Sequence, residues 1–165
     1  MESMNRIDIV SKIKESNAIG AELGVAGGSF SKQLVNTNTF SRFYSIDKWN
    51  DHHCIKEYYN LLKEFNNKKD VYVIRSTFED ALVLFEDNYF DFIYIDGYAH
   101  TGQDSGKTLY DWYNKIKKGG IIAGHDYHEK WPETIKHVNN FIKDKKLELN
   151  LTNEELYPSW WCYKQ

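Results

Sequence analysis

The chain has little that would staple it together, draw it to a polyanion or anchor it in a bilayer. Of 165 residues, only 2 are cysteine and 2 are proline. Cys54 and Cys162 cannot staple a domain of this size and match no metal-ligand spacing. Both read as reduced packing residues, and the expected compartment is cytoplasmic. Positive charge is not in excess: 21 Lys and Arg against 24 Asp and Glu leave a net charge of −3, with a pI near 6.1. That balance excludes a strong electrostatic nucleic-acid binder, which would be basic. No apolar run approaches the ~20 residues that span a bilayer, and the mean hydropathy of −0.65 agrees. Met1 to Val10 carries Glu2, Arg6 and Asp8 and lacks the apolar centre of a signal peptide. Internal repeats, low-complexity tracts and linkers rich in Pro, Gly or Ser are also missing, so one domain with one core is expected.

What the chain does have is aromatic side chains, at 16%, and a regular alternation of short apolar runs with longer amphipathic stretches. Strands are expected at Ile19 to Val25, Phe43 to Ile46, Val71 to Ile74, Phe90 to Ile95 and Ile121 to Ala123. Helices are expected between them, at Ser29 to Val35, His53 to Phe65, Phe78 to Phe85 and Thr108 to Ile116. Phe90 to Ile95 is nearly all apolar and of strand length, as a parallel strand buried on both faces should be. Met4 to Ser16 reads as a leading amphipathic helix, and Thr134 to Lys143 as a late one. Leu147 to Leu151 and Ser159 to Tyr163 read as an antiparallel pair at the sheet edge. Alternating strands and helices imply right-handed βαβ units. The expected fold is therefore α/β: a single doubly wound, Rossmann-like domain with a mainly parallel seven-stranded sheet. Its parts would be a leading helix over 1–17, a cofactor-binding core over 18–126, and a C-terminal helix with edge strands over 127–165.

All ten glycines fall in three spans, Gly20 to Gly28, Gly97 to Gly106 and Gly119 to Gly124. Glycine is needed where backbone turns sharply or comes close to a ligand, and open α/β sheets bind ligands beyond the strand carboxyl ends. The glycines thus outline a site, although Gly119-Gly120 reads as an ordinary turn. The first turn, Glu22-Leu23-Gly24-Val25-Ala26-Gly27-Gly28-Ser29, follows a strand and opens a helix. Ala26 replaces the second glycine of a pyrophosphate loop, which disfavours a dinucleotide. Glu22 suits a positively charged cofactor instead. Asp47 ends the second strand 23 residues beyond Gly24, where a carboxylate can accept from both ribose hydroxyls or cap a helix. Ser76 and Thr77 follow the third strand and could flank an adenine.

These features resemble the class I S-adenosylmethionine-dependent methyltransferases. The resemblance rests on the E-L-G-x-x-x-G turn, Asp47 and Asp96. The later segment is similar to the small O-methyltransferases that act on sugars and macrolide sugars. It runs through Phe90 to Gly97, His100 and Trp112 to Lys118-Gly119-Gly120-Ile121-Ile122-Ala123-Gly124-His125-Asp126-Tyr127, then Trp131-Pro132 and Val138. The resemblance implies S-adenosyl-L-methionine as cofactor, with Glu22, Gly24, Gly28 and Ser29 around its methionine part, Asp47 on the ribose and Asp96 near the sulfonium. Lys48 or Trp49 would cover the adenine, with a surface-to-core anchor as the other reading of Trp49.

The resemblance also implies His100 as the base that takes the acceptor's proton. His100 follows Asp96 by four residues, one more than is usual in that family. Asp96, His125 and Asp126 would hold a divalent ion, Mg²⁺ or Mn²⁺; the alternative is a metal-free site in which Asp126 orients His100. The implied acceptor is a sugar, glycan or other small molecule. It would bind in an open cleft or one closed by a second copy of the chain, with Trp49, Tyr98, Tyr127, Trp131, Trp160 and Trp161 as an aromatic rim. An NAD-dependent reductase, an RNA or cap methyltransferase and a non-catalytic cofactor-binding subunit are the competing readings.

Overall fold

The sheet is centred on a nearly all-apolar segment of the chain. Phe90–Ile95 forms β4 and is buried along its whole length. It lies between two other strands, paired in parallel with β1 (Ala18–Leu23) and β5 (Ile116–Gly124). Beyond β1 come β2 (Phe40–Asp47) and β3 (Val71–Arg75), again parallel. Beyond β5 lie β7 (Trp160–Tyr163) and the two-residue β6 (Asn150–Leu151), both antiparallel to their neighbours. The computed structural model describes residues 4–50, 53–97, 102–154 and 156–165, and its seven strands run in the order β3-β2-β1-β4-β5-β7-β6. This is the expected doubly wound α/β architecture, with the switch point between β1 and β4.

Side-chain alternation along β4 covers both faces. Ile93 and Ile95 pack with Phe78, Leu109, Trp112, Val138 and Phe141. These come from α3 (Phe78–Ala81), α4 (Lys107–Tyr113) and α5 (Pro132–Lys145). Phe92 and Tyr94 face the other way, onto Ile9 and Val10 and onto Phe30 and Leu34 of α1 (Ser29–Asn36). Phe90 breaks the alternation and joins the first face, because the β4–β5 register shifts between Phe90 and Phe92. A third cluster, Val25, Trp49, Leu61 and Phe65, lies under α2 (Ile55–Phe65). Each such buried side chain stabilises the fold by roughly 1.5–3 kcal/mol.

Three expectations are corrected. The leading segment is a 3-10 helix over Arg6–Lys12, not an α-helix over Met4 to Ser16; Ile7, Ile9, Val10 and Ile13 are β-branched and lower α-helical propensity. Gly119-Gly120 is not a turn between elements. It lies inside β5 at the register shift, where Gly119 N–H donates to Lys164 O and Lys164 N–H to Gly120 O, each at 2.8 Å. The helix expected over Phe78 to Phe85 stops at Ala81 and passes into a 3-10 turn over Leu82–Leu84. Among the described residues no helix is long and apolar enough to cross a membrane.

Candidate functional site

Parallel pairing continues one residue past the strand ends, and that continuation aligns the site. Gly24 N–H donates to Ile46 O at 2.9 Å, Asp96 N–H to Leu23 O at 2.7 Å, and His125 N–H to Ile95 O at 3.0 Å. Gly24, Asp96 and His125 are thereby held in one row across the β1, β4 and β5 carboxyl ends. Gly24 has a φ of +90°, and a Cβ there would lie 2.5 Å from Asp96 O, so only glycine permits this approach.

The loop after β1 is braced from below. Asp47 Oδ2 accepts from Val25 N–H at 2.7 Å and Ala26 N–H at 2.9 Å, while Oδ1 accepts from Trp49 N–H at 3.1 Å. Trp49 Nε1 donates back to Ala26 O at 2.9 Å. Ala26 and Trp49 both have positive φ, a strain that persists because these bonds over-determine it. Two expectations change here. Asp47 has used three of its roughly four acceptor positions on the loop, so it cannot accept from both ribose hydroxyls in this arrangement. Trp49 is 1% exposed and packs against Leu61 and Phe65, so it anchors the loop and does not cover an adenine.

Glu22, the next-to-last residue of β1, is almost fully buried, at 1% exposure. Its carboxyl receives the Ser31 hydroxyl, and Ser31 Oγ lies 2.8 Å from Ser45 Oγ. Burial pushes Glu22 up to about 8; the Ser31 bond opposes this, and the nearby Asp96 charge adds to it. A carboxyl so placed holds its proton well above the usual carboxylate range, and a cation beside it favours ionisation. Arg6, Glu22, Gly24 to Gly27, Ser29, Phe30, His53 and Asp96 line one cavity of about 290 Å³. Gly28 caps α1 with a φ of +78°, and a Cβ there would strike Leu61.

Across the row, Asp96, His125 and Asp126 each offer one ligand atom, all within 4.8 Å of one another. His125 Nδ1 lies 3.4 Å from Asp96 Oδ1 and 3.1 Å from Asp126 Oδ1. Burial pulls the imidazole down, but hydrogen bonds and charge from both aspartates outweigh it and raise it to about 9. Asp126 adopts a left-handed φ of +58°, a conformation that aspartate tolerates better than most residues.

The remaining expected residues are more scattered. Lys48 O accepts from Arg75 Nε at 3.2 Å, and Ser76 N–H donates to Asp47 O at 2.9 Å, so the β2 and β3 ends meet. Thr77 caps α3: its hydroxyl accepts from Asp80 N–H at 3.0 Å and donates to Asp80 Oδ2 at 2.7 Å. Thr77 also lines a second cavity, of about 600 Å³, with Phe78, Lys107 and Trp112. Trp160 and Trp161 are strand residues, 0% and 7% exposed, and leave the expected rim; ring packing sets Tyr157 beside His128 and Trp131 instead. His100 and Tyr98 lie outside the described residues.

Arg6 and Phe30 are site residues that sequence reasoning missed. Arg6 Nη1 lies 3.5 Å from Asp96 Oδ2, with its guanidinium carbon 4.2 Å above the Phe30 ring. Phe30 lies in the first turn of α1, two residues beyond the E-L-G-x-x-x-G turn, and carried a readable signal. Arg6 carried none, because Glu154, 148 residues away, holds its backbone N–H.

Fold and site together define a Rossmann-like α/β domain with a candidate ligand site at the β1–β4 switch point. Residues 19–127 match the family described as "Methyltransferase domain". The chain belongs to that family and is an S-adenosylmethionine-dependent methyltransferase. Among curated proteins, none matches the sequence. Solved structures share the fold at low identity. One, described as a candidate rRNA methylase from Clostridium thermocellum, is 14% identical, is covered in full by the full chain here, and has a TM-score of 0.74. A candidate caffeoyl-CoA O-methyltransferase from Staphylococcus aureus is 16% identical over 98% of this chain and 85% of its own, with a TM-score of 0.73. A candidate methyltransferase from Streptococcus mutans, SMU.1697c, was solved with SAH; it is 16% identical over 96% of this chain and 95% of its own, with a TM-score of 0.71. The named acceptors differ, so the shared fold does not choose among them.

Proposed function

We propose that this enzyme methylates a hydroxyl of a small acceptor, a sugar or glycan, using a divalent ion and a histidine base. The observation that carries the proposal is the Asp96–His125–Asp126 cluster, set in the same row as Gly24. Two carboxylates and one imidazole suit a borderline ion such as Mn²⁺, and suit Mg²⁺ through the carboxylates. When bound, such an ion lowers the pKa of a coordinated hydroxyl. His125 must lose its proton before it can ligate, so a metal competes with protonation.

The cofactor supplies a methyl group on a sulfonium. Glu22 and Asp96 face the cavity where that positive charge would lie, and the Gly24 to Gly28 backbone shapes its floor. Asp47 keeps one acceptor position for a ribose hydroxyl. In the transfer, a C–O bond forms as the C–S bond breaks, and His100 takes the acceptor's proton. His128, Trp131 and Tyr157, a few residues from Asp126 or packed against those that are, offer flat faces to a sugar ring. A second copy of the chain closing this cleft is part of the same proposal.

The test is paired. His100→Ala should abolish turnover, a fall of at least ~10²-fold, while leaving S-adenosylmethionine affinity within about twofold. Unchanged turnover removes His100 from the reaction. The reductase reading predicts tight NADH binding and no binding of the sulfonium compound; the reverse is expected here.

A further inference from the structure

Two acidic groups face the cofactor cavity, Glu22 and Asp96. Asp96, and Glu22 once a cation ionises it, suit the sulfonium and the ammonium of a methionine moiety, and neither offers its carboxylate a partner. Among the described residues lining that cavity, Arg6 is the one permanent cation. We propose that Arg6 receives the carboxylate of the cofactor's amino-acid end and so selects a zwitterionic cofactor over one lacking that carboxylate. This rests on the cofactor reading of the cavity.

Three features prepare Arg6 for the role. Its guanidinium carbon lies 4.2 Å over the Phe30 ring, a cation–π contact that uses none of its N–H donors. It is 3.5 Å from Asp96 Oδ2, a long contact that engages one edge of the fork and leaves the other for a carboxylate. Its backbone is fastened from a distant part of the chain. Arg6 N–H donates to Glu154 Oε1 at 3.1 Å, Met4 N–H donates to the Asn153 side chain, and Asn153 N–H donates to Met4 O at 3.0 Å. Glu154 is itself held by Thr152 Oγ1 at 2.8 Å. Ser159, which bonds Tyr94 OH at 2.8 Å, ties the same loop to β4. The N-terminal segment is thus clamped to the loop before β7, and the guanidinium has a fixed pivot over the cavity.

The experiment is calorimetric titration of wild type, Arg6→Met and Arg6→Lys with S-adenosylmethionine and with decarboxylated S-adenosylmethionine, which keeps the sulfonium and the amine. Wild type should prefer the carboxylated compound by about 10- to 100-fold, as a charge-assisted pair allows. Arg6→Met keeps an apolar stem on Phe30 and should erase the preference by weakening only the carboxylated ligand; Arg6→Lys should restore part of it. An unselective wild type overturns the proposal whatever the variants do. Equal weakening of both ligands in Arg6→Met also overturns it and leaves Arg6 a structural role. Failure of wild type to bind either compound overturns the cofactor reading itself, and this proposal with it.

Discussion

The two sides of the site are built differently. On the β1–β2 side, Asp47 spends its carboxylate on three backbone amides, Trp49 is buried, and Gly28 packs against Leu61. On the β4–β5 side, Asp96, His125 and Asp126 are partly exposed and bonded chiefly to one another or to Arg6. The first side uses acidic and aromatic residues to fix backbone. The second holds charged groups close together without committing them to structure. Position and chemistry are thus supplied by separate halves, and substitutions should separate them.

The largest effect is expected from Asp47→Ala. It strands the N–H groups of Val25, Ala26 and Trp49 beneath the loop and should destabilise the fold by about 3 kcal/mol, measured by urea unfolding. Asp126→Ala, on the other side, should change stability by less than ~1 kcal/mol. Equal losses would erase the contrast between the halves.

Glu22→Gln should come next and act in both directions. The unfolded carboxyl titrates near 4.5 and the folded one near 8. Between those values the folded protein holds the extra proton, so stability falls as pH rises through that window. The amide cannot ionise, so the variant's thermal midpoint should exceed wild type's above pH 8 and match it near the ordinary carboxylate range. Cofactor affinity should drop about tenfold with the lost charge. A wild type whose stability rises across that window would show that Glu22 is not buried as a neutral acid.

The smallest effect is expected from Thr77→Ala. Losing this cap should cost about 1 kcal/mol and leave S-adenosylmethionine affinity unchanged. Weaker cofactor binding would place Thr77 at the adenine edge.

How much of this could be read from sequence depended on the range of the interactions. The β4 limits, Phe90 and Ile95, follow from a nearly all-apolar run interrupted only by Asp91, and the alternation of strands and helices implied the doubly wound sheet. Gly24 stood out because strand ends and glycines mark the switch point, whereas Asp96 came from the resemblance to the methyltransferases. The use of Asp47 was not, since spacing fixes where a carboxylate sits but not which partner it takes. The Trp160-Trp161 pair read as a rim because the local pattern does not show that β7 pairs with β5. Arg6 was invisible because only the chain's far end brings it to the cavity.

The most direct test is transfer of a labelled methyl group from S-adenosylmethionine to a panel of sugars and glycans, followed by mass spectrometry with Mn²⁺ and with EDTA. The label should appear on a hydroxyl oxygen, vanish with EDTA and return with the metal. Transfer undiminished by EDTA, or a label found only on nitrogen, would contradict the role assigned to Asp96, His125 and Asp126.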